Sequence, residues 1–365
     1  MTRKLASIQK ILDISPIPDA DKIEVATVLG WKCVVAKKDE FKVGDFVIYV
    51  EIDSILPAKP EFEFMKDRKY RVRTIKLRKQ ISQGLVLPLS VIPTSMPLRA
   101  CEEGDDVTDI LGVTKYDPQA EEELRDAQNG RKSWVVKFLS RYKWYRKYFL
   151  QKSKRGWPDW IKKTDEDRIQ LFPRICEEEK DTAFEVTEKI DGQSATYFLK
   201  RNNTPNPFAQ KFEFGVCSRK LRRNKADTSS YWIVANKYNI QAILSSIIHN
   251  YDWVVVQGEI IGTNIQGNKY GVGEYKFFAY NLIYPDRQLN YKEMKKTFEN
   301  HTMGIVPLVY EDWNLPDTID ESVKASIGKS IIEPNIQREG IVVRNYEKGI
   351  SFKIVNPEFL LKYGE

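Results

Sequence analysis

Histidine and cysteine are scarce in this sequence, and both shortages narrow its chemistry. Two histidines, His249 and His301, stand in 365 residues. A Ser-His-Asp triad or a histidine-ligated metal centre has almost no material to draw on. The four cysteines, Cys33, Cys101, Cys176 and Cys217, lie far apart with no C-x-x-C pair. That spacing argues against a zinc site and a disulfide framework, and for an intracellular, reducing compartment, cytoplasm or nucleus. No run of eighteen apolar residues occurs, so no membrane-spanning helix is expected. Met1-Thr2-Arg3-Lys4-Leu5 leads into an amphipathic pattern rather than an apolar signal core. A phosphate loop is missing as well: Gly328-Lys329-Ser330 lacks a glycine five places earlier. Nothing repeats at a fixed period.

The length of 365 residues suits two domains, because one core seldom grows beyond about 250–300 residues. Apolar residues make up 42% of the chain and aromatics 12%, enough for two cores. The net charge of +7 is modest, so its distribution matters more than its total.

Residues 1–112 read as a small β-barrel. Ile23–Val28, Trp31–Val35 and Phe46–Val50 alternate or run apolar, and turn residues (Pro16, Pro18, Gly30, Gly44, Pro57) recur at short intervals. In Tyr70–Lys79, bases alternate with apolar residues, which places Arg71, Arg73, Lys76 and Arg78 on a solvated face. Such a face follows a phosphate backbone or merely keeps the barrel soluble. Residues 113–163 form a connector, acidic to about Asp126 and then basic. Between Arg131 and Arg155 there is no acid, and Trp134, Phe138, Tyr142, Trp144, Tyr145, Tyr148 and Phe149 are interleaved with bases. The spacing fits an amphipathic helix that packs on a domain, stacks on nucleic acid, or lies on a membrane surface. Thr164-Asp165-Glu166-Asp167-Arg168 resembles a capped helix start. The remainder, 164–365, is strand-rich with helices between, one near Ser230–Asn250.

The stretch with the sharpest chemistry is Glu188-Lys189-Ile190-Asp191-Gly192. A lysine ending a strand before an Asp-Gly turn can present an amine to a ligand, and Gly192 has no Cβ to obstruct it. Lysine titrates near pH ~10.4, so at neutral pH roughly one in a few thousand is free base. Lowering that pKa by about three units takes on the order of 4 kcal/mol against the ammonium, within reach of a nearby cation. The plain alternative is a surface turn. Five later stretches set the motif in context: Cys217-Ser218-Arg219, Gly258-Glu259-Ile260-Ile261-Gly262, Phe278-Ala279-Tyr280-Asn281, Glu339-Gly340-Ile341-Val342-Val343-Arg344 and Ser351-Phe352-Lys353. Taken singly, each is an ordinary strand end or strand face.

In this order they resemble the covalent nucleotidyltransferase superfamily of ATP-dependent ligases and mRNA capping enzymes, over about 189–355. With a barrel placed first, the chain is more narrowly similar to the RNA ligase branch typified by the Naegleria enzyme, which carries an N-terminal OB domain. The resemblance implies an α+β fold: an OB-like β-barrel, then a domain of antiparallel sheets with flanking helices. It implies ATP, Mg²⁺ or Mn²⁺, and RNA with 5′-phosphate and 3′-hydroxyl ends as partners, and a monomer. Lys189 would attack the α-phosphorus of ATP to give lysyl-AMP. Arg168 would touch the phosphates and Lys353 would neutralise the α-phosphate. Arg219 and Glu259 would hold the ribose, and Tyr280 (or Phe278) would stack on adenine. Glu188, Ile190 and Val342 would complete the nucleotide pocket, while Asp191 and Glu339 would hold metal-bound waters. One departure stands out: the family often has K-x-K in its last motif, where this chain has Val355. Arg344 or Lys348 is the expected substitute. The rival readings are a DNA ligase, an RNA-binding protein with an inactive catalytic domain, and a GTP-using capping enzyme.

Overall fold

The computed structural model describes residues 4–93, 102–116, 156–202, 211–223 and 229–363. The basic segment 131–155 therefore lies outside the described residues.

The first domain is built on a five-stranded antiparallel sheet. Its strands are β1 (Ala6–Pro16), β2 (Ile23–Val28), β3 (Trp31–Ala36), β4 (Phe46–Val50) and, after short β5 (Ser54–Ile55), β6 (Thr74–Leu77) and β7 (Gln80–Gln83), β8 (Leu85–Pro88). The order is β3-β2-β1-β4-β8. Long β1 pairs with β4 through its first half and with β2 through its second, shifting register between Ile11 and Asp13. Such a bulge bends a strand so that one sheet curls around a core, here built on Ile8, Trp31, Ile48, Tyr49 and Phe62. Strand β9 (Thr114–Lys115) returns to pair with β5.

The expected basic strand is shorter than its alternation suggested. Left-handed Tyr70 (φ 57°) precedes it, and left-handed Arg78 and Lys79 (φ 46° and 68°) make the β6–β7 turn. Arg73, Lys76 and Arg78 are exposed, but Arg71 lies before the strand and is buried.

The second domain holds two antiparallel layers. One is β16-β10-β17-β18, from β10 (Ala183–Lys189), β16 (Leu308–Asn314), β17 (Gly340–Asn345) and β18 (Ile350–Val355). The other is β12-β11-β13-β14-β15, from β11 (Gln193–Arg201), β12 (Phe212–Cys217), β13 (Trp253–Ile261), β14 (Lys276–Ile283) and β15 (Gly304–Ile305); only its last pair is parallel. Val254, Val255 and Val256 are buried in succession because both faces of β13 are covered. The helix expected near Ser230–Asn250 is two, α1 (Ser230–Lys237) and α2 (Ile240–Ile247), broken at left-handed Asn239. Three more follow: α3 (Tyr291–Phe298), α4 (Ile319–Ser326) and the C-terminal α5 (Pro357–Tyr363).

Residues 164–167 are not the capped helix that their composition suggested. They run without regular structure, and Arg168 makes a parallel bridge to Lys353. Two of their three acids are engaged instead by arginines of the second domain: Asp165 pairs with Arg219, and Glu166 with Arg344 at 3.1 Å. The two domains share material. Val355 and Leu360 belong to the barrel's core, Gly30 donates its N–H to the Gln170 carbonyl at 2.9 Å, and Arg168 pairs with Asp53 at 3.3 Å.

Candidate active site

Strand β10 ends at Lys189, the chain turns through Ile190–Gly192, and β11 departs into the other sheet. The turn thus bridges the two layers, and a cavity of about 430 Å³ opens above it. That volume is typical of a small-ligand site. Gly192 is required there by close approach: a Cβ would meet the Ile260 carbonyl oxygen at 2.4 Å and Glu259 Cγ at 2.8 Å.

Antiparallel pairing assembles the walls. Lys189 lies opposite Gly340 and Glu188 opposite Ile341, which sets Glu339 beside the lysine. On the other sheet Ser194 lies opposite Glu259, and Glu259 opposite Phe278. The Lys189 ammonium is ion-paired with the Glu339 carboxylate, and the Lys269 ammonium with Asp191. Partly buried Glu259 faces the same space. Burial pushes its carboxyl up to about 8; Lys189 opposes this, while Glu339 and Asp191 add to it. Asp191 and Glu339, one on each side of the lysine turn, are hard oxygen donors of the kind a divalent cation takes. Asp191 and Glu339 have the right chemistry to hold one through water.

The other expected site residues fall as follows. Arg168, Glu188, Ile190, Arg219, Tyr280, Val342 and Lys353 all line the cavity. Buried Glu188 accepts from the Ile331 N–H at 2.8 Å, and loss of solvent raises its pKa. Desolvation alone would raise the Asp165 pKa, but Arg219, Lys115 and Lys353 together hold it below the usual value. Tyr280 Oη lies 3.0 Å from Ser194 Oγ, which is 3.3 Å from Thr164 Oγ1. Phe278 shares the Tyr280 face but packs beneath the turn with Ile190, Ile261, Tyr270 and Val306, outside the cavity lining.

Two expectations change. Lys348 pairs with Glu179 at 2.6 Å and is absent from the cavity wall, so it does not stand in for a lysine at Val355. Arg344 does line the cavity. Arg71 is not on the solvated barrel face: it is 6% exposed, pairs with Asp53 at 3.5 Å and sits 3.4 Å from the Tyr116 ring centroid, inside the same cavity. Asp53, Lys115, Tyr116 and Lys269 escape a reading of the sequence, because they come from turns and the end of a two-residue strand with no periodicity to read.

An OB-type barrel fixed against a two-sheet domain, with a lysine at a strand end among carboxylates and cations, defines a covalent nucleotidyltransferase of the ligase class. Comparison with known proteins narrows the class. Residues 5–89 match an OB-fold domain model and residues 182–363 an RNA ligase model. Among solved structures, Naegleria gruberi RNA ligase in an apo mutant form superimposes with a TM-score of 0.78 at 31% identity, covering 98% of this chain and 97% of that one. Mutant forms of the same enzyme with ATP and Mn, or with AMP and Mn, give the same score at 30% and 31% identity, covering 98% of both chains. No curated protein sequence matches. The chain belongs to the RNA ligase family.

Proposed function

We propose that this protein is an ATP-dependent RNA ligase that uses Mg²⁺ or Mn²⁺ to join a 5′-phosphate end to a 3′-hydroxyl end, acting as a monomer in a reducing compartment. The observation that carries the reading is Lys189 at the end of β10, inside one cavity with Glu339, Asp191, Glu259, Arg219 and Lys353. The described cysteines, Cys33, Cys176 and Cys217, are free and buried, in keeping with that compartment.

The chemistry follows from placement. Lys189 Nζ, once it has shed a proton, bonds to the α-phosphorus as the bond to pyrophosphate breaks. Lys353 and Arg344 line the wall where the phosphate's negative charge gathers, and fixed cations there lower the barrier. A divalent cation bound through water to Asp191 and Glu339 would add to that charge stabilisation and disfavour the ammonium. Tyr280, tied to Ser194, offers a ring face to the base, and Arg219 and Glu259 offer polar groups to the ribose. From the barrel, Arg71 and Lys115 add positive charge toward the pyrophosphate. AMP then passes from Lys189 to the RNA 5′-phosphate, and the 3′-hydroxyl displaces it.

Incubation with α-labelled ATP and Mn²⁺ should label the wild-type chain and leave Lys189→Ala unlabelled but folded. A wild-type protein that takes up no label is a binder, not a ligase. Uptake from GTP instead marks a capping-type enzyme. Sealing of strands with DNA 3′ ends as fast as RNA 3′ ends would move the substrate class, because the 2′-hydroxyl is what separates the two.

A further inference from the structure

The connection between β13 and β14 has an unusual backbone. Gln266, Gly267 and Asn268 are all left-handed in succession (φ 48°, 67° and 48°). Two of the three carry a Cβ, so the conformation costs energy and persists only where its surroundings over-determine it. Asn268 supplies the constraint. Its amide donates to the Val272 carbonyl at 3.0 Å, and its side-chain oxygen accepts from the Val272 N–H at 3.1 Å.

The loop so fixed delivers two consecutive side chains to one target. Lys269 pairs with the Asp191 carboxylate. Tyr270 Oη accepts the Asp191 backbone N–H at 2.9 Å, and the Tyr270 ring is buried in a cluster with Ile190. The turn that follows the nucleophile is thereby held at three points by one short segment. Lys269 is braced in turn from α5, its ammonium 5.4 Å from the Phe359 ring centroid and 5.5 Å from that of Tyr363. Cations held over aromatic faces are attracted to the ring quadrupole, more so when desolvated.

We propose that Lys269 and Tyr270 are a positioning clamp for the Lys189–Asp191 turn, so that this loop, braced by the C-terminal helix, sets the rate of lysine adenylylation rather than the affinity for ATP. The proposal rests on the ligase reading above. A group that fixes the nucleophile's geometry lowers the maximal rate when removed, whereas one that grips the nucleotide equally in ground and transition state raises the half-saturating ATP concentration.

The test is single-turnover adenylylation of the full chain with α-labelled ATP at saturating Mn²⁺, in Lys269→Ala, Lys269→Arg, Tyr270→Phe and Lys269→Ala/Tyr270→Phe. Tyr270→Phe keeps the buried ring, so it removes the acceptor without opening a cavity. Both single losses should slow the maximal rate tenfold or more while moving half-saturating ATP less than threefold. Lys269→Arg should recover most of the rate. The double variant should be little slower than the worse single one, because two parts of one clamp are not additive. Three results overturn the clamp: wild-type maximal rates in both single variants, a tenfold rise in half-saturating ATP at an unchanged maximal rate, or losses that multiply in the double variant. A wild-type chain that takes up no label defeats the ligase reading instead, which keeps the two failures apart.

Discussion

Burial pushes the Glu259 carboxyl up to about 8, so in the nucleotide-free enzyme it holds its proton through neutral pH. An unfolded glutamate titrates near 4.5. Between those two values the folded state binds more protons than the unfolded one. Stability therefore falls as pH rises through that window, since the slope follows the protons bound by the unfolded state minus those bound by the native state. Glu259→Gln keeps a neutral amide there at every pH. Its melting temperature relative to wild type should climb from pH 5 to about pH 8 and level off above it; parallel curves would mean that the carboxyl ionises normally. Arg71 differs from its neighbours in sequence for a related reason. Its partner Asp53 and the Tyr116 ring draw it inward. Arg71→Ala should therefore slow adenylylation and leave RNA affinity nearly unchanged, as filter binding and label uptake on the same sample would show.

At the scale of elements, the decisive feature is how closely β13 approaches the nucleophile turn. Gly192→Ala would drive a methyl into the Ile260 carbonyl and Glu259 Cγ, and backbone cannot yield as a flexible side chain does. Overpacking of that kind costs about 1–3 kcal/mol. Chemical denaturation should register that loss, accompanied by at least a tenfold slower adenylylation because Asp191 and Glu259 shift together. The β6–β7 hairpin is the opposite case: Arg73, Lys76 and Arg78 are exposed there and lie outside the cavity lining. Charge reversal at Arg73 and Lys76 should weaken RNA binding and flatten its dependence on salt, as expected when phosphate contacts are lost. An unchanged salt slope would leave that hairpin as a solubilising surface. The helix break at Asn239 and the irregular 164–167 segment escaped the sequence pattern. A left-handed residue and long-range pairs to Arg219 and Arg344 leave no trace in periodicity.

For the whole molecule, the shared core matters most. Leu360 and Val355 of the second domain are packed within the barrel's apolar cluster, and Lys32 reaches Asp320 at 3.7 Å beside the Gly30–Gln170 hydrogen bond. The barrel is thus a fixed wall of the active site. Leu360→Ala should cost about 2–4 kcal/mol, as buried leucine truncations do. Hydrogen exchange should show β1 and β17 losing protection together in that variant. Loss of protection in β17 alone would separate the domains into independent folding units.

Sequence alone was enough for several of the strands. β2, β3, β4, β13 and β14 are legible as apolar runs and alternations, because burial of a sheet face writes a period of two into the chain. The order of short motifs from Lys189 to Lys353 was equally legible, since each sits at a strand end or on a strand face whose chemistry is local. Tertiary structure alone decided what faces those strand ends. That Arg71, Lys115 and Tyr116 of the barrel share a cavity with Lys189, and that Lys269 rather than Lys348 reaches the nucleophile turn, depends on contacts between residues far apart in the chain. Such contacts are fixed by sheet pairing and shared cores, and no local pattern encodes them.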